Sequence, residues 1–187
     1  MPNYNLKNVK ILVIEQNSLT LEALIALLQG LGVGHVQSAS TINGALEILK
    51  QGTLDLVISD WSPGIDGILF LDRVRNDTSN PNPFIPVIFL TAYSDNKQIK
   101  KAINAGINDF IAKPFSARHI YKRIIKVIEV PHFFIRSGVY FGPCRRHVLI
   151  DNYHNENQRR TSYGGAERRL SAIHMEDDSL PYRPTGD

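Results

Sequence analysis

Two rhythms of apolar residues alternate along the first part of the chain. Short, nearly unbroken runs rich in β-branched residues fall at 9–14, 33–38, 54–59, 86–91 and 109–112. Runs of that length and composition predict strands buried on both faces. Between them, apolar residues recur at three- and four-residue spacing. Leu19, Leu21, Leu24, Ile25, Leu27 and Leu28 form the first set, and Ala45, Leu46, Ile48 and Leu49 the second. Ile68, Leu69, Leu71 and Val74 follow, then Ile99, Ala102 and Ile103, then Ile120, Ile124, Ile125 and Ile128. Each set predicts a helix with one inward face. Asn17 or Ser18 and Thr41 are placed to cap helices, and Gly30, Gly32, Gly52 and Gly106 to stop them. Strand and helix thus alternate five times, which predicts an α/β domain with a doubly wound parallel sheet closing near residue 129.

The rhythm stops after Val130, so the chain divides into a domain at 1–129 and an extension at 130–187. With 187 residues, there is room for one full core and something smaller. The single cysteine, Cys144, excludes a disulfide framework and fits a reducing compartment. The start of the chain has no apolar signal core, and no apolar run is long enough to cross a bilayer. A cytoplasmic protein without membrane insertion is expected. The net charge of +3 is too small to argue for nucleic acid, and no helix-turn-helix pattern fits the extension, so DNA is not an expected partner.

Candidate chemistry gathers where the predicted strands end. Val57-Ile58-Ser59-Asp60 is a strand delivering a carboxylate, with Pro63 and Gly64 turning the chain just beyond. Open α/β sheets bind ligands beyond the carboxyl ends of their strands. Glu15 and Gln16 end the first strand, Thr91 the fourth, and Lys113 follows the fifth. A carboxylate, a hydroxyl, an ammonium and an acidic turn make a phosphoryl-transfer set. In it Asp60 is the nucleophile, Thr91 and Lys113 hold phosphoryl oxygens, and neighbouring oxygens hold magnesium. Each residue also has a plain reading: Asp60 as a turn cap, Thr91 as a strand former, Lys113 as an exposed lysine and Glu15 as a solvated terminus.

These residues carry a family resemblance. Ile11-Leu12-Val13-Ile14-Glu15, Val57-Ile58-Ser59-Asp60-Trp61, Pro63-Gly64-Ile65-Asp66-Gly67, Leu90-Thr91-Ala92 and Lys113-Pro114-Phe115 resemble a response-regulator receiver domain of the CheY type. The resemblance covers about two-thirds of the chain, from about Val9 to Glu129. It implies a flavodoxin-like sheet with strand order 2-1-3-4-5. It implies that Asp60 accepts a phosphoryl group from a sensor histidine kinase or phosphotransfer protein. Thr91 and Lys113 then sense the change, and the face of helix four, strand five and helix five reports it to a downstream protein target. The switch aromatic of the family falls at Phe110, which has no hydroxyl. Magnesium would be held by Glu15, Gln16 and Asp60. Receivers usually carry two acids after strand one, so a neutral Gln16 implies weakened magnesium binding.

All Lys/Arg positions in the extension are arginine, three pairs among them: Arg145-Arg146, Arg159-Arg160 and Arg168-Arg169. A faint repeat relates Phe141-Gly142-Pro143-Cys144-Arg145-Arg146 to Tyr163-Gly164-Gly165-Ala166-Glu167-Arg168-Arg169. Guanidinium pairs beside glycines and aromatics suit planar anionic ligands. The segment resembles arginine-rich extensions of CheY-like proteins that bind cyclic di-GMP. Nucleotide binding would then fall to Arg145, Arg146, Arg168 and Arg169, with the receiver acting as an adaptor. Those extensions bear a motif of the form aromatic-Gly-Pro-Asp-Arg-Arg, and Cys144 stands where it has the acid. The competing reading is an irregular or partly disordered charge-mixed tail, pinned to the domain by Phe133, Phe134, Tyr140 and Phe141. Cys144, His147 and His154 lack a zinc spacing. An enzyme is not expected: an aspartyl phosphatase needs an acid at Ser62, and a flavodoxin needs a phosphate loop where Glu15-Gln16 stand.

Overall fold

The computed structural model describes residues 4–52, 54–92, 96–129, 132–137, 140–144 and 161–163. Strands β1 (Lys10–Ile14), β2 (His35–Ala39), β3 (Leu56–Trp61), β4 (Val87–Thr91) and β5 (Asp109–Ala112) alternate with helices α1 (Ser18–Gly30), α2 (Ile42–Lys50), α3 (Gly67–Asn76), α4 (Asn96–Asn104) and α5 (Ala117–Glu129). All four pairings in the sheet are parallel, and the strand order is β2-β1-β3-β4-β5. This is the flavodoxin-like arrangement that the alternation and the resemblance predict.

Side chains alternate across the sheet and build two cores. Leu12, Ile14, Val57, Val87 and Phe89 pack with Ala45 and Leu49 of α2, Phe70, Leu71 and Val74 of α3, and Ala102 of α4. On the other face Ile11, Val13, Ile58, Ile88, Leu90 and Ile111 pack with Leu24 and Leu28 of α1 and Ile120, Ile124 and Ile125 of α5. Burial on both faces is why β3 and β4 read as continuous apolar runs.

Two helix details differ from the periodicity. In α1 only Leu24 and Leu28 are buried, while Leu19, on the far side of the helix, is 75% exposed. The third helix begins at Gly67, just before the first residue of its apolar set. Asp66 caps it by accepting from the Ile68 and Leu69 amides at 3.1 Å each. A Cβ at Gly67 would lie 2.9 Å from Cζ of Phe89 and 3.1 Å from Cδ1 of Trp61, so the helix touches the sheet there by its backbone. That contact sets its rotation. Phe70, Leu71, Val74 and Arg75 face inward, and Leu69, predicted inward, is exposed. The third strand also ends later than predicted, so Asp60 is its penultimate residue.

Beyond residue 130 the described residues form a second, three-stranded antiparallel sheet where irregular chain was expected. It comprises β6 (Phe134–Ser137), β7 (Tyr140–Pro143) and β8 (Thr161–Tyr163) in the order β7-β6-β8. Phe134 and Phe141 are buried, as expected of anchors. Phe84 meets them edge-on, with ring centroids 5.4 Å and 5.5 Å away. Among the described residues no helix is long and apolar enough to cross a membrane.

Candidate functional site

The β1 strand runs apolar through Ile14, and the next residue, Glu15, stands at the rim of the sheet beside the penultimate residue of β3. Both carboxylates are buried: the side chains of Glu15 and Asp60 are 4% and 5% exposed. What makes that tolerable is Lys113, one residue past the end of β5. Its Nζ donates to Asp60 Oδ1 at 2.7 Å and to Glu15 Oε2 at 3.0 Å. The other oxygen of Glu15, Oε1, accepts from the Asn17 amide at 3.0 Å. Glu15 is therefore a structural member of the site, in contrast to the solvated terminus that its sequence position also allowed. Burial opposes the charge on Lys113, but hydrogen bonds to Asp60 and Glu15 outweigh it and hold its pKa above the usual lysine value.

Thr91 ends β4 and is buried. It pairs in register with Trp61, next to Asp60, and with Ala112, next to Lys113. Its carbonyl accepts from the Lys113 amide at 2.8 Å, so its backbone positions the lysine. Phe110 pairs with Phe89 and is half-buried against the core shared by α2, α3 and α4.

Gln16 is exposed at the mouth. Its Nε2 donates to the Gly64 carbonyl at 2.7 Å, tying the loop after β1 to the loop after β3. A Cβ at Gly64 would fall 2.1 Å from Gln16 Oε1, so any side chain there would displace this amide. For a magnesium ion the donor set is two carboxylates and one neutral amide oxygen. Magnesium accepts one or two carboxylates with waters and a phosphate completing the octahedron, so these residues fit it with less charge than a three-acid set. No group of three or more His, Cys, Asp or Glu residues able to hold a metal occurs among the described residues.

Glu15, Asp60 and Lys113, predicted from separate strand ends, are thus joined by hydrogen bonds, with Thr91 in the adjoining register and Gln16 at the mouth. Arg145, Arg146, Arg168 and Arg169 lie outside the described residues, as do His147 and His154. Two residues of this region were not singled out for it by the sequence reading. Trp61 packs on Phe89 at 5.4 Å between centroids, and Gly67 lies against both rings. The signal available was position alone: Trp61 follows the acid directly.

The profile of the response regulator receiver domain family matches residues 11–125. The chain belongs to that family. Its receiver is 36% identical over 124 residues to the chemotaxis protein CheY-3 of Vibrio cholerae, covering 66% of this chain and 94% of that protein. It is 34% identical over 122 residues to the chemotaxis protein CheY of Pseudomonas aeruginosa, covering 65% and 97%. A crystal structure of a putative response regulator from Chloroflexus aurantiacus J-10-fl superposes with a TM-score of 0.59 at 29% identity, covering 66% of this chain and all of that one. Receivers are as a rule non-enzymatic signalling domains that work with histidine kinases or phosphotransfer proteins and bind magnesium at an acidic pocket. The family match ends at residue 125, before the extension with its β6–β7 hairpin.

Proposed function

We propose that the chain is a response regulator in which Asp60 takes a phosphoryl group from a sensor histidine kinase or a phosphotransfer protein. What supports the reading is the carboxylate pair gathered around Lys113. A carboxylate oxygen of Asp60 attacks phosphorus, the bond from phosphorus to the donor breaks, and its electron pair leaves with the donor. Lys113 moves from carboxylate to phosphoryl oxygen, and the Thr91 hydroxyl takes another. Magnesium held by Glu15, Asp60 and the Gln16 carbonyl supplies charge neutralisation when bound. Phe110 follows Thr91 by packing alone. The downstream target reads the face of α4, β5 and α5, where Ile111 and Ala112 of β5 and His119, Lys122, Arg123 and Lys126 of α5 line a groove of about 510 Å³. Acetyl phosphate with magnesium tests the acceptor: the intact mass should rise by one phosphoryl group, and an unchanged mass contradicts the reading.

Gln16 sets the strength of the metal site. Replacing it with the acid usual in receivers adds a charged ligand and removes the amide donor from the Gly64 carbonyl. Gln16→Asp should tighten magnesium binding about tenfold. The single tryptophan, Trp61, stands beside Asp60 and reports this in a fluorescence titration with magnesium alone. Equal affinities would show that Gln16 does not limit the metal.

A second reading, a receiver acting as a cyclic di-GMP-binding adaptor, is favoured by one feature of the small sheet. β7 and β8 flank β6 in the same register, Phe134 facing both Pro143 and Tyr163. The two copies of the repeat therefore run in the same direction on either side of β6, beginning two residues out of step. Calorimetric binding of cyclic di-GMP that survives Arg145→Ala with Arg146→Ala would exclude this reading.

A further inference from the structure

At the opposite end of the strands from Asp60 lies a buried cation that the phosphoryl chemistry does not use. Arg75, at the end of α3, is 2% exposed. Its guanidinium donates to the carbonyls of Pro83 at 2.6 Å, Ile85 at 2.8 Å and Gly106 at 3.3 Å, and to Asn108 Oδ1 at 3.1 Å. All four acceptors are neutral. The charge is covered by the ring of Phe134, whose centroid is 5.0 Å from Cζ. Burial pulls the Arg75 pKa down to about 9, still charged at neutral pH.

The hairpin supplying Phe134 is seated on the receiver by backbone. Gly106, in the turn between α4 and β5, has φ +95°, and a Cβ there would lie 2.8 Å from the Phe141 carbonyl. A Cβ at Gly142 would lie 2.6 Å from the Gly106 Cα. The Phe-Gly half of the arginine motif is thus consumed in docking, where ligand approach was the expected use of its glycine. Arg75 then leads to the strands. Asn108 Oδ1, which it holds, also accepts from the Val87 amide at 3.0 Å, and the Asn108 amide donates to the Val87 carbonyl at 3.0 Å. Val87 begins β4 and Asn108 immediately precedes β5, the strands that end beside Thr91 and Lys113.

We infer that the β6–β7 hairpin is a clamp on the turn between α4 and β5, holding β4 and β5 where Lys113 pairs with Asp60 and Glu15. Loading Asp60 and releasing the hairpin then favour each other. This rests on Asp60 being the acceptor. An anion there draws Lys113 out of its pairing and shifts the end of β5. A glycine-to-glycine backbone contact has no side chain to adapt, so a small shift of the turn loses it. Linkage requires the reverse effect to be equal: loosening the hairpin strengthens anion binding.

The test uses the full chain with magnesium and beryllium fluoride as the phosphoryl mimic. Trp61 fluorescence gives its affinity, and hydrogen exchange follows residues 132–144 and 104–110. In the natural chain the mimic should speed exchange at 132–144, and Asp60→Asn should abolish that response. Phe134→Ala, and Gly142→Ala as a second variant in case the first folds poorly, should raise affinity for the mimic about fivefold or more. The clamp is overturned if the mimic titrates Trp61 while exchange at 132–144 stays unchanged. It is equally overturned if the variants loosen the hairpin without changing affinity. A natural chain that does not titrate at all refutes the acceptor reading, and the clamp falls with it.

Discussion

Asp60→Asn should abolish phosphorylation outright: incubated with acetyl phosphate and magnesium, the variant keeps its mass while the natural chain gains one phosphoryl group. The reason is local. Asp60 supplies the nucleophilic oxygen, and an amide at the same position has no charged oxygen to form the new bond. Glu15 is a poor substitute because both its oxygens are engaged, one by Lys113 and the other by the Asn17 amide. The variant should fold, since Lys113 retains Glu15 and the amide still accepts from it. Mass gain in Asp60→Asn equal to that of the natural chain would place the acceptor elsewhere.

Lys113→Met should be the most destabilising single change at the site, by about 3 kcal/mol. It leaves two buried carboxylates facing each other with no cation between them. The value lies at the low end of the range for breaking a buried pair because the Lys113 side chain itself keeps 27% exposure. Magnesium should restore part of the loss by taking the place of the ammonium, and Asp60→Asn in the same chain should restore part by removing one charge. The pH dependence follows from the raised pKa of Lys113. A cation stabilised in the fold contributes fully below the ordinary lysine pKa and is lost as pH rises through the folded value. Natural and variant stabilities should therefore stay apart across neutral pH and converge in strongly alkaline buffer. Denaturant melts across that range decide it, and a variant as stable as the natural chain at neutral pH would contradict the pairing.

The strands and helices of the receiver were legible because burial on both sheet faces and one-sided helices leave distinct periods in the sequence. So was the set of rim residues, since strand ends can be read from where those periods break. Glu15 shows where this stops. Its burial depends on a lysine 98 residues away, and an acid after a strand looks the same whether paired or solvated. Leu69 and Phe70 differ by one position, and which faces inward is fixed by how closely Gly67 approaches Trp61 and Phe89, a tertiary contact. Arg75 stands four residues after Leu71 on the inward face, but its acceptors come from two separate loops. The glycine of the extension motif was visible, and Gly106 was legible as a helix stop; the contact between them was not.

Crystals grown with magnesium and beryllium fluoride show whether Asp60, Thr91 and Lys113 close on one anion. The fluoroberyllate should sit on an Asp60 carboxylate oxygen, with Lys113 Nζ and Thr91 Oγ1 both within hydrogen-bond reach of its fluorines. A site in which Lys113 still bridges Asp60 and Glu15, with the anion bound elsewhere, would contradict that arrangement.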